Sequence, residues 1–275
     1  MRRLLFFIIT IHMFGCETKT EKVDSRYEDG KPKIIFIYQD ESDSLNCQKK
    51  MLYNSGKINY LGQFVDGRKS GTWIWWYENG NKKDQCKYKE GAYIDTVYHW
   101  YESGQIKQIE ILANKKIVDN GCSSCNGTII RYFENGKLKE KFTSDGGSFE
   151  GSYIHFEENG AWDIRTFKND SLNGPTTEHD IDSTGNVTIV VGQYKKNKET
   201  GLWRWFDKDS VLFQTLNYTN GKTFGMLQTY YSNGKIAKEG FVNDGKYNGA
   251  FKYYDDKGKL VVIEHYKDGV LIDND

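Results

Sequence analysis

Turn-forming residues recur along the chain at a nearly constant spacing, and this periodicity limits the possible folds more than any other feature. The turn positions are Gly56, Gly80, Gly104, Gly136, Gly160, Gly185, Ser210, Gly234 and Gly258. Successive positions are 24 or 25 residues apart, except for one step of 32 residues. A second turn signal follows each by about eleven residues, so the intervening segments suit β-strands and are too short for stable helices. The pattern therefore predicts about nine β-hairpin repeats.

The turn sequences favour tight hairpins. Asn79-Gly80 represents the first turn of a repeat, and Asp244-Gly245 represents the second. Such dipeptides adopt the positive φ angles that two-residue hairpin turns require. The one long step indicates an insertion of about eight residues near 117–127.

The composition agrees with an all-β chain. Aromatic residues make up 15% of the sequence, and the chain has 28 Gly but only 2 Pro. Aromatic residues favour strands, whereas Gly favours turns. Lys plus Arg and Asp plus Glu both number 38. This balance argues against a nucleic-acid partner, which usually requires a basic face.

Two sets of large apolar residues flank the first turn of each repeat. The set four residues before the turn position comprises Trp76, Trp100, Tyr132, Phe156, Ile181, Phe206, Tyr230 and Tyr254. The set two residues after it comprises Ile58, Ile106, Leu138, Trp162, Val187, Leu212, Ile236 and Leu260, with Lys82 as the exception. Because these two sets can meet across a strand pair, we expect them to form the core.

A third set lies seven residues before the turn position. It comprises Trp73, Val97, Ile129, Tyr153, Glu178, Trp203, Leu227 and Phe251. Its offset of three residues from the first set does not fit strict alternation along a strand. A β-bulge or a strongly twisted strand would reconcile the two sets, and the sequence leaves that choice open.

The N-terminus has the layout of a secretory signal. Met1–Arg3 is positively charged, Leu4–Ile11 is apolar and too short to span a bilayer, and Cys16 follows Gly15. This arrangement resembles a bacterial lipoprotein signal, which is cleaved before a cysteine that becomes lipidated. The resemblance implies removal of residues 1–15, lipidation of Cys16 and a flexible tether over residues 16–26. It also implies a membrane-anchored protein at the outer membrane or a periplasm-facing surface.

The repeat units resemble MORN repeats, in particular the bacterial variant. The unit Tyr231–Tyr254 shows the pattern best, with Tyr-x-Asn-Gly-Lys at its start and Gly-x-x-x-Gly at Gly245 and Gly249. The resemblance implies an elongated array of hairpins over residues 27–275, forming a twisted antiparallel sheet or a solenoid. Proteins with this variant are often labelled antitoxin-like, and MORN arrays generally serve as binding or scaffold modules. The motif carries no catalytic residue.

Cys122 and Cys125 form a short Cys-x-x-Cys motif within the insertion. A zinc site would need two further ligands at suitable spacing, and a thioredoxin-like site would need a βαβ setting. An exported protein favours a disulfide instead, either between these two residues or with Cys47 or Cys86. We predict a structural disulfide and no metal site.

One repeat position carries residues suited to recognition. Five residues before the turn stand Trp75, His99, Arg131, His155, Trp205 and Tyr253. A repeat position that holds such different residue types is usually exposed. Its tryptophans could alternatively belong to the core. If these side chains point outward, they form a candidate binding face for a protein or for sugar rings, since aromatic residues and Arg dominate binding interfaces.

The sequence contains no recognisable Ser-His-Asp or Cys-His arrangement and no phosphate-binding loop. We therefore expect no enzyme activity and no cofactor. Stacked repeats create long, shallow surfaces that suit binding. The resulting hypothesis is a non-enzymatic, membrane-anchored binding or scaffold module of the bacterial envelope with a protein partner. The alternatives are an antitoxin or immunity protein, and a protein that binds carbohydrate or glycolipid.

Overall fold

A computed structural model describes residues 19–113 and 126–274 of the chain. Their regular structure consists of 22 β-strands, and this part of the chain holds no helix, hence none long and apolar enough to cross a membrane. The all-β prediction is confirmed. The predictions for the signal segment, for Cys16 and for Cys122 and Cys125 lie outside the described residues.

The chain divides into two compact units, Met1–Tyr93 and Ile94–Asp275. The described part of the first unit contains β1 (Thr20–Arg26), β2 (Pro32–Tyr38), β3 (Cys47–Leu52), β4 (Ile58–Val65), β5 (Arg68–Trp76) and β6 (Lys82–Lys89). The boundary falls within β7 (Ala92–Trp100).

The second unit continues with the remaining strands. They are β8 (Ile106–Leu112), β9 (Gly127–Tyr132), β10 (Leu138–Asp145), β11 (Ser148–Phe156), β12 (Trp162–Lys168), β13 (Ser171–Leu172), β14 (Gly174–Ile181), β15 (Val187–Lys195), β16 (Lys198–Asp207), β17 (Leu212–Thr219), β18 (Lys222–Tyr230), β19 (Ile236–Asn243), β20 (Lys246–Tyr254), β21 (Leu260–Lys267) and β22 (Val270–Asn274).

Within each unit, strands pair antiparallel with their neighbours in sequence. In the first unit β1 to β6 pair in order. In the described part of the second unit, the order is interrupted only where β12 pairs with both β13 and β14. All nine predicted turn residues have positive φ, from 62° at Ser210 to 97° at Gly80. The predicted array of hairpins is therefore confirmed.

The first turn of the repeat explains the Tyr-x-Asn-Gly-Lys pattern. At Tyr231 the backbone N–H donates to the carbonyl of Lys235 at 2.9 Å, and the N–H of Gly234 donates to the carbonyl of Tyr231 at 2.9 Å. The side-chain oxygen of Asn233 accepts the N–H of Lys235 at 3.0 Å. Gly234 has a φ of 81°, which a residue with a side chain rarely adopts.

Tyrosines of this turn also tie one repeat to the next. The hydroxyl of Tyr231 donates to the carbonyl of Tyr254 at 2.7 Å, and that of Tyr101 donates to the carbonyl of Tyr132 at 2.9 Å. In the first unit Tyr27 donates to Leu52 in the same way at 2.7 Å. These bonds give the tyrosine a structural role in the repeat.

The core differs from the expected one. The two sets flanking the turns do face each other, as in the pairs Trp100 with Ile106 and Tyr254 with Leu260, so that part of the prediction is confirmed. However, Ile58 is 40% exposed and Leu260 is 43% exposed, and the expectation that these sets form the core is wrong. Five members of the third set are deeply buried instead, namely Trp73, Ile129, Trp203, Leu227 and Phe251.

The third set lies on the opposite sheet face from the first. Phe251 and Tyr253 alternate with Lys252 and Tyr254 along β20, and the Tyr254 hydroxyl donates at 2.9 Å to Glu239, which lies opposite Lys252. An odd offset along a strand places two residues on opposite faces. The offset of three therefore needs no bulge. In each unit, we call the face that carries the third set the front face.

Thr20–Arg26 form a strand, so the predicted flexible tether over residues 16–26 is wrong for residues 20–26. β1 pairs antiparallel with β2, and Val23 lies opposite Ile35. Val23 and Ser25 are half-buried and alternate with exposed charged residues. Edge strands commonly carry charged side chains. The polar composition of this segment is therefore compatible with a strand as well as with a flexible tether.

Candidate functional site

Five of the six residues of the candidate binding face lie on one line across the strands of the second unit. In the second unit, direct cross-strand partners form a row that we call the register row. It comprises His99, Gln108, Arg131, Glu140, His155, Asp163, Glu178, Val190, Trp205, Gln214, Thr229, Lys238, Tyr253 and Val262. Five of the six predicted residues belong to it, and Trp75 occupies the equivalent position in the first unit, between Tyr60 and Asp84.

These residues lie on the front face and not on an outward face of their own. Trp75 follows Trp73 by two residues, and the ring centroids are 5.8 Å apart. Trp205 lies in the same relation to Trp203, with centroids 6.4 Å apart. All six predicted residues are half-buried. Each one packs beside the core and also presents part of its surface to solvent.

The first half of the register row is a polar network. The Nε of Arg131 donates to Gln108 at 2.7 Å, and the Arg131 guanidinium also forms an ion pair with Glu140. The Tyr153 hydroxyl donates to the second oxygen of Glu140 at 2.8 Å. Further along, His155 lies 3.4 Å from Asp163.

Carboxylates in this network are more buried than their cationic partners. The side chain of Glu140 is 13% exposed, whereas that of Arg131 is 42% exposed. Burial opposes ionisation of Glu140, but the hydrogen bonds from Arg131 and Tyr153 outweigh it and lower the pKa of the carboxyl. Burial likewise opposes ionisation of Glu110, and hydrogen bonds from His99 and Gln108 lower its pKa.

Glu178 is the exception among these carboxylates. Burial raises its pKa, Arg165 partly opposes this effect, and the charges of Asp180 and Asp163 add to it. Arg165 instead lies 3.1 Å from Asp163. A hollow of about 70 Å³ borders these side chains. Such a volume suits two or three water molecules at about 30 Å³ each and is too small for an enclosed substrate.

The second half of the register row contains two aromatic residues, Trp205 and Tyr253. Trp205 and Tyr253 pack against a buried cluster of Leu216, Leu227, Val242 and Phe251. The Lys238 ammonium lies 5.9 Å from the centroid of the Tyr253 ring. Burial, followed by a hydrogen bond with Glu264, raises the pKa of Tyr253. The row thus combines, on one face, a charged half and a half that carries two large aromatic side chains.

Sequence reasoning missed the carboxylates of the row, Glu140, Asp163 and Glu178, together with Glu110 beside it. Counted from the turn residue, Glu140 lies four positions after Gly136, whereas Asp163 lies three positions after Gly160. Their offsets differ, so they form no column in the repeat alignment. Only the strand pairing brings them together.

The profile of the MORN repeat variant family matches the chain at residues 69–90, 126–144, 225–244 and 247–268. These four matches show MORN repeats at those places in the chain, in agreement with the hairpin array. MORN repeats are generally non-catalytic modules that bind proteins or membranes. No curated protein matched the chain.

Proposed function

We propose that this protein is a non-enzymatic binding or scaffold module, anchored to a bacterial envelope membrane through Cys16, that engages a protein partner along the register row. The observation that carries the proposal is the row itself. It places half-buried Arg, His, Trp and Tyr side chains in one line on a sheet face of the second unit.

The two halves of the row suit the two parts of a binding interface. Trp205 and Tyr253 are held by the core cluster, so little side-chain entropy is lost when a partner packs on them. Arg131 is held by Gln108 and Glu140 but keeps 42% of its side chain exposed. Aromatic residues and Arg of this kind are typical centres of binding energy.

Capture of the partner tests this proposal. Soluble Cys16→Ala protein is used as bait on an envelope extract, and bound proteins are quantified by mass spectrometry. We expect Arg131→Ala and Trp205→Ala to lose the same partner. Arg204→Ala is the matched control, because Arg204 is exposed and lies next to Trp205 on the opposite face. Capture that neither row variant reduces would refute the row as the binding surface.

Membrane attachment is tested separately. Lipidated Cys16 should place the protein in the membrane fraction and incorporate labelled fatty acid, because buried acyl chains contribute about 0.8 kcal/mol per CH₂. Cys16→Ala should then appear in the soluble fraction. Equal fractionation of the two proteins, with no lipid label on the wild type, would refute the anchor.

A further inference from the structure

The first unit contains a hollow that belongs neither to the register row nor to the core. It lies along β2, β3 and β4 and has a volume of about 350 Å³. This volume falls within the range of about 300–1,000 Å³ that is typical of small-ligand sites. Its lining includes Ile37, Gln48 and Gln63, which are direct cross-strand neighbours, and Gln39 from the bend after β2.

The glutamine amides of this hollow are available for a ligand. The side chains of Gln39, Gln48 and Gln63 make no hydrogen bond within the described part of the chain. Asn46, in contrast, is already engaged, because it accepts the N–H of Asp66 at 3.2 Å and donates to Asp43 at 2.7 Å. Asn46 therefore has a structural role in the lining of the hollow. The glutamine side chains supply hydrogen-bond donors and acceptors that the protein itself does not use.

The lining is almost free of charge. Lys19 is the one charged side chain among the described residues that line the hollow. Burial raises the pKa of Cys47, so this lining thiol stays neutral at ordinary pH. The absence of a carboxylate leaves no ion-pair partner for a cationic ligand, and the other lining side chains are neutral.

We propose that this hollow is a binding site for a neutral saccharide. Each sugar hydroxyl both donates and accepts a hydrogen bond, and each glutamine amide offers the complementary pair of groups. Ile37 supplies an apolar contact for the C–H groups of a sugar ring. The site is independent of the partner surface proposed above, because none of the register-row positions lines it.

Saturation-transfer NMR on the full chain tests the site with glucose, N-acetylglucosamine and cellobiose as probes. At least one sugar should receive saturation from the wild-type protein. Gln48→Met and the double variant Gln48→Met/Gln63→Met keep the side-chain length and remove the amides. We expect the double variant to bind about tenfold more weakly, because two direct hydrogen bonds are lost.

Gln193→Met is the matched control. Gln63 packs over Gly71, with its Nε2 atom 2.8 Å from where a Cβ would stand, and Gln193 packs over Gly201 with the same distance. The control therefore repeats the packing change in the second unit, at a residue that does not line the hollow, and should bind like wild type. The single variant Gln48→Met makes no such glycine contact and covers the case in which Gln63→Met fails to fold.

Three outcomes would overturn the site. The first is a wild-type protein that binds none of the three sugars. The second is sugar binding that the Gln48 and Gln63 variants leave unchanged. The third is binding of N-acetyl-triglycine amide in place of the sugars. Partner capture through the register row is measured separately, so failure of one proposal leaves the other standing.

Discussion

The indole ring of Trp73 lies directly over the α-carbon of Gly62. A Cβ atom at Gly62 would stand 2.0 Å from the ring, which no real contact allows. Trp203 covers Gly192 and Phe251 covers Gly240 in the same way, at 2.2 Å and 2.4 Å. Where the glycine is replaced by Leu216, the facing residue is the smaller Leu227. The front-face core is thus built from facing residue pairs in which a small residue accompanies a large one, and a medium-sized residue accompanies another of similar size.

Gly240→Ala should lower the free energy of unfolding by about 1–3 kcal/mol, because the added methyl group forces the Phe251 ring out of its place. Gly240 has no positive φ, so the backbone itself accepts alanine. Urea unfolding measures the change. In a Phe251→Leu background the same substitution should cost clearly less, as expected for coupled neighbours. Equal costs in both backgrounds would contradict the pairing.

Ser210→Gly should stabilise the protein by up to about 1 kcal/mol. Ser210 replaces the usual glycine of the first turn and has a φ of 62°, a conformation that costs a residue with a side chain roughly 1–2 kcal/mol. Part of this gain is offset by the greater freedom of glycine in the unfolded chain. Thermal unfolding monitors the effect. The reverse exchange, Gly234→Ser, should destabilise, and stabilisation by both exchanges would refute the argument.

The turns could be read from the sequence because their backbone angles demand particular residues. Every predicted position, including Ser210, has positive φ. The turns also predict the order of the strands, because each turn reverses the chain after a nearly constant number of residues. It was harder to predict which side chains lie on the buried face of the sheet. Trp73 and Trp76 are both aromatic, and only the alternation of side chains along β5 separates the buried member from the half-buried one.

The register row could not be read from the repeat alignment. Most first-turn hairpins contain a one-residue register shift, as between His99 and Trp100, but those at Gly160 and Gly185 have none. In β14 the row passes through Glu178, two residues away from Asp180, which occupies the expected position five residues before the turn. This displacement explains why Glu178 is the one charged member of an otherwise apolar set. Backbone irregularities of this kind leave no residue signature.

Tyr231→Phe should lower the free energy of unfolding by about 0.5–1.5 kcal/mol, because the carbonyl of Tyr254 loses its hydroxyl partner. Tyr218→Phe is the matched control, since Tyr218 is half-buried in the same unit and its hydroxyl makes no hydrogen bond among the described residues. The control should change stability by much less. Equal effects of the two substitutions would show that the hydrogen bond between Tyr231 and Tyr254 does not contribute to the free energy of unfolding.

Glu140→Gln should destabilise the protein at pH 7, because Arg131 and Tyr153 lose a charged acceptor. The lowered pKa of Glu140 means that the carboxylate stabilises the fold above its unfolded value of 4.5, and that this contribution is lost as the pH falls through the folded pKa. The difference between wild type and variant should therefore shrink below pH 4. Urea unfolding at several pH values measures it, and a difference independent of pH would contradict the assignment.

Glu178→Gln should have the opposite effect. Its raised pKa means that the folded protein holds the proton more tightly than the unfolded chain, so ionisation of Glu178 costs stability as the pH rises above 4.5. The uncharged variant should therefore be more stable than wild type at pH 7, by less than about 1 kcal/mol because solvent screens a partly exposed group. The gain should vanish near pH 4, where wild-type Glu178 is also protonated. A loss of stability at pH 7 would instead mean that Arg165 compensates the Glu178 charge in full, and that the polar half of the row has no unmatched carboxylate.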